Sequence, residues 1–440
     1  MYIQRSLDSK IHEFIVNSSP NKNVLLVEGV RQVGKSSLVR HALEKCNRKH
    51  FSLNLEKDTL LRSLIDTCEE FDDFSQLLRD RIGFDGDSGQ ILFIDEAQES
   101  RKLGHFVRFM KEEWRNSTVI LTGSTLSRLF RDNVRYPVGR VNKITLWPFS
   151  FSEFLRALGK TDAADGICKG KTDISSAHHQ YLLELYDLFL ITGGLPEIAM
   201  AHADGKDFEP MLDQLIADYE SDFVRIFGEE DIAIVKSCFK SVANFVGSPS
   251  KNTSIIQSPS TPQNARINDV FSRLESWHLL IKAEQKGPGP EANHSYLPKR
   301  YMFDTGILRR FRESAWPSIS VIRTLSPASR IPLGGALENQ CAIDISRFSE
   351  KVAGWKKYSS GCEIDFIVKK KDIPTPVECK ASLKFDRKHI RGMLDYMSQY
   401  NVKTGILVTL APYQEIEVAA IGKIINLPAY MLETLDSFIC

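Results

Sequence analysis

Eight residues near the N-terminus, Gly29-Val30-Arg31-Gln32-Val33-Gly34-Lys35-Ser36, constrain this chain more than any other stretch. They fit G-x-x-x-x-G-K-[ST], the pattern of a loop that cradles phosphates. An apolar run, Val24 to Val27, precedes them, and Ser37-Leu38-Val39-Arg40 follows with helical character, so the order is strand, loop, helix. The glycines let backbone N–H groups turn inward onto an anion, and the following helix N-terminus favours negative charge. Lys35 should reach the β- and γ-phosphates of ATP, and the Ser36 hydroxyl should ligate magnesium. The nucleotide-binding stretch is expected to comprise Gly29, Val30, Arg31, Gln32, Val33, Gly34, Lys35, Ser36 and Ser37.

Further on, Ile91-Leu92-Phe93-Ile94-Asp95-Glu96 is an apolar strand ending in two carboxylates. Asp95 would hold the magnesium through water, and Glu96 would polarise the attacking water. Each motif alone has a bland counterpart, a chance Gly-rich turn or a strand ending in solvated acids. Both together, in this order, are much harder to explain that way. The next apolar run, Val119-Ile120-Leu121, ends in Thr122-Gly123-Ser124, where Thr122 or Ser124 could sense the γ-phosphate; a plain turn is the alternative. Arg140, in Val138-Gly139-Arg140, is a candidate arginine finger, with an ordinary surface arginine as the rival reading.

A chain of 440 residues calls for roughly two to four domains. Hydrophobic residues at 42% and charged residues at 26% suit a globular protein. The net charge of +1 means that any DNA contact must come from a local basic face. The eight cysteines include no C-x-x-C pair, so neither a zinc site nor a disulfide framework is expected. The first residues lack the apolar stretch of a signal peptide, and no run approaches the roughly 18 apolar residues of a membrane helix. A cytoplasmic protein with no membrane partner is expected.

Residues 1–22 read as a helix with Leu7, Ile11, Phe14 and Ile15 on one stripe. Phe51 to Leu55 alternates, while Ile91–Ile94 and Val119–Leu121 are continuously apolar, with helical stretches at Phe74–Ile82 and Phe106–Trp114. Buried strands alternating with helices predict a parallel α/β sheet. Residues 151–225 are helical and broken at Gly193-Gly194. The insert Gly247–Gln263 is polar, residues 286–296 form a loop, and strands return at Glu363–Val368, Pro376–Lys380 and Thr404–Thr409.

These stretches resemble a family of bacterial and archaeal AAA+ ATPases that carry a C-terminal domain with a restriction-endonuclease-like core. The resemblance rests on EGVRQVGKSSL (28–38), LFIDEAQ (92–98), VILTGS (119–124), GRV with WPFSFSEF (139–154) and GGLPE (193–197). KRYMFDTGIL (299–308), GGALEN (334–339), GCEIDFIV (361–368) and PVECK (376–380) extend it over nearly the whole chain. Glu28 departs from many relatives, though the backbone would make the phosphate contacts. The resemblance implies ATP and magnesium as cofactors, and it allows self-association through the ATPase core.

Residues 230–285 are similar to a winged helix-turn-helix, with one helix over Ile232–Phe245 and a longer one over Asn264–Leu280. Such modules enter the DNA major groove or serve as plain connectors. Lys236, Lys240, Lys251, Arg266 and Arg273 allow DNA contact without requiring it. In the last segment Glu378-Cys379-Lys380 is an E-x-K whose alternation puts Glu378 and Lys380 on one strand face. With Asp365 one hairpin earlier and Glu338 on a helix, this is similar to the PD-(D/E)xK nuclease core. There Glu338, Asp365 and Glu378 would bind a metal, and Glu378 and Lys380 would act on the phosphodiester. Two carboxylates about 4 Å apart repel by roughly 4 kcal/mol at an effective dielectric of about 20, so a cation or Lys380 alone must offset them.

The expected fold is therefore α/β throughout, in four parts. A AAA+-type P-loop core with a parallel sheet takes 1–160, a helical lid 161–229, a winged helix 230–300 and a PD-(D/E)xK nuclease-like domain 301–440. The expected activity is ATP hydrolysis coupled to DNA. The rival is an ATP-gated regulatory or protein-interaction switch with an inactive nuclease-like domain.

Overall fold

The computed structural model describes residues 2–17, 22–86, 89–130, 135–250, 264–287, 296–312, 315–357, 361–371 and 373–439. It divides into two compact units, Met1–Trp147 and Pro148–Cys440.

The first unit contains α1 (Asp8–Val16), β1 (Val24–Glu28), α2 (Lys35–Glu44), β2 (His50–Asn54), α3 (Thr59–Thr67) and α4 (Phe71–Ile82). It continues through β3 (Ile91–Asp95), α5 (Leu103–Glu112), β4 (Thr118–Gly123) and β5 (Val141–Thr145). Its five strands are all parallel and lie in the order β2-β3-β4-β1-β5. Every residue of β1, β3 and β4 is buried, as continuous apolar runs in a covered parallel sheet require. On one side, Phe74 of α4 stacks on Phe106 of α5 with centroids 4.7 Å apart, and Trp114 packs against both Phe71 and Phe74. Such aromatic pairs add about 0.5–1.5 kcal/mol beyond burial.

Two expectations need correction here. The helix expected over residues 1–22 is shorter, because residues 2–5 are not helical and buried Arg5 reaches away to other parts of the unit; residues 18–21 lie outside the described set. Strand β5 was not anticipated, since Val-Asn-Lys-Ile-Thr is an edge strand with half its side chains in solvent and so lacks an apolar run.

The second unit opens with α6 (Phe151–Ala157), α7 (Thr161–Cys168), α8 (Ser176–Thr192), α9 (Pro196–Ala203), α10 (Glu209–Phe227), α11 (Ile232–Asn244) and α12 (Asn264–Ser276). Then come β6 (Leu280–Lys286), β7 (Lys299–Met302), α13 (Thr305–Phe311), α14 (Ile331–Ser346), β8 (Val352–Lys357), β9 (Cys362–Ile364), β10 (Phe366–Lys370) and β11 (Ile373–Cys379). Last come α15 (Arg391–Tyr400), β12 (Thr404–Thr409), β13 (Gln414–Val418), β14 (Gly422–Pro428) and a 3-10 helix, Ala429–Phe438. Two mixed sheets result, β7-β6-β8-β9 and β10-β11-β12-β14-β13.

The expected helix to Leu280 stops at Ser276. His278 adopts a left-handed φ of 60°, which ends the helix and turns Leu280 into the start of β6. The strand expected over Glu363–Val368 is broken at Asp365, which lies between β9 of one sheet and β10 of the other. Strand β7 runs across the 300/301 boundary, and the segment expected as a lid falls in the second unit. Residues 251–263 of the polar insert, Lys251 included, and 288–295 of the expected loop lie outside the described residues. The cysteines among the described residues are all free.

Candidate nucleotide site and the C-terminal carboxylate cluster

The phosphate loop leaves β1 at Gly29, whose φ is +148°, and a Cβ there would lie 2.2 Å from the Leu146 carbonyl oxygen. Only glycine lets the loop pass this close to the segment after β5. Gly34, in a left-handed conformation, opens α2. Within the loop Gln32 has φ 61°, and across the site Glu96 has φ 51°. These are costly conformations for residues with a Cβ, and both fall where the sequence places the phosphates and the attacking water.

Lys35 is buried and donates to the carbonyls of Gly29 (3.0 Å) and Val30 (2.9 Å). Burial pushes its pKa down to about 8, against the opposing charges of Glu96 and Asp95. The Ser36 hydroxyl donates to Asp95 Oδ1 at 2.8 Å, and Thr122 Oγ1 to the same oxygen at 2.5 Å. Asp95 Oδ2 accepts from Asn54 Nδ2 (3.0 Å) and Arg40 Nη2 (3.2 Å). Glu96 accepts from Gln98 Nε2 at 2.6 Å, and burial raises its pKa. A serine hydroxyl beside a carboxylate at the end of the loop is a hard-oxygen pair that suits magnesium, so Ser36 and Asp95 fit that ion. Bound magnesium would neutralise charge on the β- and γ-phosphates. Ser124 follows β4 and is half-buried.

Arg140 is placed elsewhere. Its carbonyl accepts from Val24 N–H at the beginning of β1, while the loop leaves from the end of that strand. The strand's five residues put roughly 15 Å between the two ends. The Arg140 guanidinium pairs with Glu112 at 2.6 Å. Arg140 thus lies at the far end of β1 from the phosphate loop.

Sequence reading missed three participants. Asn54 and Arg40 hold Asp95, and neither belongs to a spaced motif. Arg5 donates to the carbonyls of Val33 (2.9 Å) and Trp147 (2.6 Å), pinning the phosphate loop from behind. Glu28, buried at the end of β1, pairs with Lys143 of β5.

In the second unit the structure brings Glu338, Asp365, Glu378 and Lys380 together. Glu378 Oε2 accepts from Asp365 N–H (3.2 Å), and Asp365 Oδ2 from Cys379 N–H (3.0 Å). Lys380 pairs with Glu378 and lies 3.7 Å from Asp365 Oδ2. One residue was not foreseen at this place: Lys299 of β7, only 2% exposed, reaches Glu338 (3.0 Å), Glu363 (2.7 Å) and Asp365 (2.9 Å). Tyr301, two residues on, donates to Glu338 at 2.7 Å. Lys299 and Tyr301, alternate residues of one short strand, share a face, but nothing in their spacing ties them to Asp365. Burial and the neighbouring Asp365 charge push Glu338 up to about 7 and Glu378 up to about 8. Burial works against ionised Asp365 as well, but the charges of Lys299 and Lys380 hold its carboxyl below the usual value.

A phosphate loop joining a parallel sheet to a helix, faced by a carboxylate at the end of the strand next but one, defines a P-loop ATPase. Residues 21–155 match the family model described as an AAA domain, and the first unit is an AAA-type P-loop ATPase. Residues 183–315 match a model described only as a domain of unknown function, DUF8612. An uncharacterized protein of Haemophilus influenzae is 24% identical over 434 residues, covering 96% of this chain and 95% of its own. Among solved structures, the Walker-type ATPase PABY2304 of Pyrococcus abyssi is 16% identical with a TM-score of 0.45, covering 70% of this chain and 96% of its own. The ORC1 protein of Aeropyrum pernix in complex with DNA is 11% identical with a TM-score of 0.31, covering 70% and 92%. Likeness this distant carries nothing about substrate. Among the described residues no helix is long and apolar enough to cross a membrane.

Proposed function

We propose that the chain hydrolyses ATP with Lys35 on the phosphates, Ser36 and Asp95 on magnesium, Thr122 as sensor and Glu96 orienting the attacking water, and that the second unit applies this cycle to DNA. The observation that carries the ATPase part is the contact of Ser36 and Thr122 with one oxygen of Asp95, which gathers the ends of α2, β3 and β4 at one point. The DNA part is supported by α11 and α12 followed by the antiparallel pair β6-β7, an arrangement similar to a winged helix. Arg140 would act, if at all, on the nucleotide of a second copy through the ATPase core.

The second reading, an ATP-gated protein switch, is favoured by a specific observation. Lys236 pairs with Glu220, Arg266 with Asp231 and Arg273 with Asp269, so three of the basic side chains meant for phosphates already face acids. ATP turnover measured with and without single- and double-stranded DNA separates the two. Stimulation several-fold by DNA, absent in Lys35→Ala, is the expected result. Turnover indifferent to saturating DNA would move the switch reading ahead.

A further inference from the structure

The nuclease-like reading of the second unit calls for a divalent cation among Glu338, Asp365 and Glu378. We infer instead that the Lys299 ammonium is the resident cation of this cluster, so that the domain holds its carboxylates together without a metal.

The argument begins with donors and acceptors. A lysine ammonium has three N–H groups, and three carboxylates offer one oxygen each: Glu338 Oε1, Glu363 Oε1 and Asp365 Oδ1, at 2.7 to 3.0 Å. These come from α14, β9 and the bend between two sheets, so one nitrogen ties three elements to β7. The spacing is that of charge-assisted N–H···O bonds, whereas magnesium needs oxygens at about 2.0–2.1 Å in octahedral order. The cage would have to shrink as well as lose its lysine.

Most of the remaining oxygens are engaged too. Glu363 Oε2 accepts from Lys356 at 3.0 Å, Asp365 Oδ2 from Cys379 N–H, and the two oxygens of Glu378 from Lys380 and Asp365 N–H. On the side of α14 Gly247 packs close to Glu338, and a Cβ there would lie 2.5 Å from Oε2. Lys299 leaves no room to swing out, because its whole strand is buried. Among the described residues no three His, Cys, Asp or Glu side chains are grouped to hold a metal ion. The residues present therefore do not fit the metal, and no cleavage step is assigned to them.

Manganese binding to the full chain tests this independently of ATP or DNA. In an Asp95→Asn background, which removes the magnesium ligand of the first unit, free Mn2+ is followed by its electron paramagnetic resonance without nucleotide. No stoichiometric uptake is expected with Lys299 in place, and one equivalent is expected after Lys299→Met. Uptake with Lys299 intact that disappears on adding Asp365→Asn would overturn the inference, and so would a folded Lys299→Met protein that takes up no Mn2+. Should Lys299→Met not fold, the 15N resonance of the Lys299 ammonium serves in its place. It should be protected from exchange and unmoved by excess Mg2+, and its displacement by Mg2+ would refute the assignment.

Discussion

Lys35 and Lys299 are both buried ammonium groups, one in each unit, and their partners differ in kind. Lys35 donates to two carbonyl oxygens of its own loop, and burial pulls its pKa down to about 8. Lys299 donates to three carboxylates, whose charges outweigh its burial and lift its pKa well above the ordinary value. The first is a buried charge short of anionic contact, and on the proposed reading phosphates would supply what it lacks. The second is already neutralised, and an added ligand would have to break contacts before making any. A buried lysine beside carboxylates is therefore a ligand site or a structural pin according to how many negative oxygens it already touches.

The largest effect that would sharpen this contrast is on chemistry. Glu96→Gln should lower ATP turnover by about 10²–10⁴-fold while leaving ATP bound, because the amide cannot take up a proton from the attacking water. Steady-state turnover beside nucleotide binding checks it; a rate within a few-fold of the original would remove Glu96 from the mechanism.

Next comes stability. Lys299→Ala leaves three carboxylates facing one another and should cost the second unit about 3–5 kcal/mol, whereas Lys35→Ala, which frees only neutral carbonyls, should leave the first unit's unfolding nearly unchanged. Thermal unfolding of both full-length variants compares them, and equal losses would break the distinction between ligand site and pin.

A smaller effect is the pH dependence of ATP affinity. Unliganded Lys35 loses its proton above about 8, while the phosphate-bound form holds it. Binding therefore takes up a proton at high pH, and affinity should fall roughly tenfold from pH 7 to 9. Calorimetric titrations across that range, with no fall seen, would place the ammonium's charge outside the binding event. Smallest of all, Arg140→Ala should change turnover by no more than a few-fold, since its guanidinium serves Glu112 at the far end of β1. A loss near a thousandfold would mean that a second copy receives it.

The parallel sheet of the first unit was legible because its central strands are continuous apolar runs, and the phosphate loop because its spacing is fixed by backbone geometry. Strand β5 was not, since an edge strand such as Val-Asn-Lys-Ile-Thr faces water and carries no such run. Local pattern also failed at Leu279-Leu280, where helical spacing continues past His278 but the backbone does not. In the carboxylate cluster, the E-x-K alternation brought out Glu378 and Lys380. Lys299 arrives from 66 residues before Asp365 by strand pairing alone, which no single-chain spacing can report. A Gly-Arg pair likewise says nothing about which end of a strand Arg140 occupies.

The account stands most directly on the phosphate loop, and calorimetry of ATP with magnesium on the full chain and on Lys35→Ala tests it. Saturable binding by the unaltered chain and none by a folded Lys35→Ala protein is the predicted result. Unchanged ATP affinity in Lys35→Ala would contradict it.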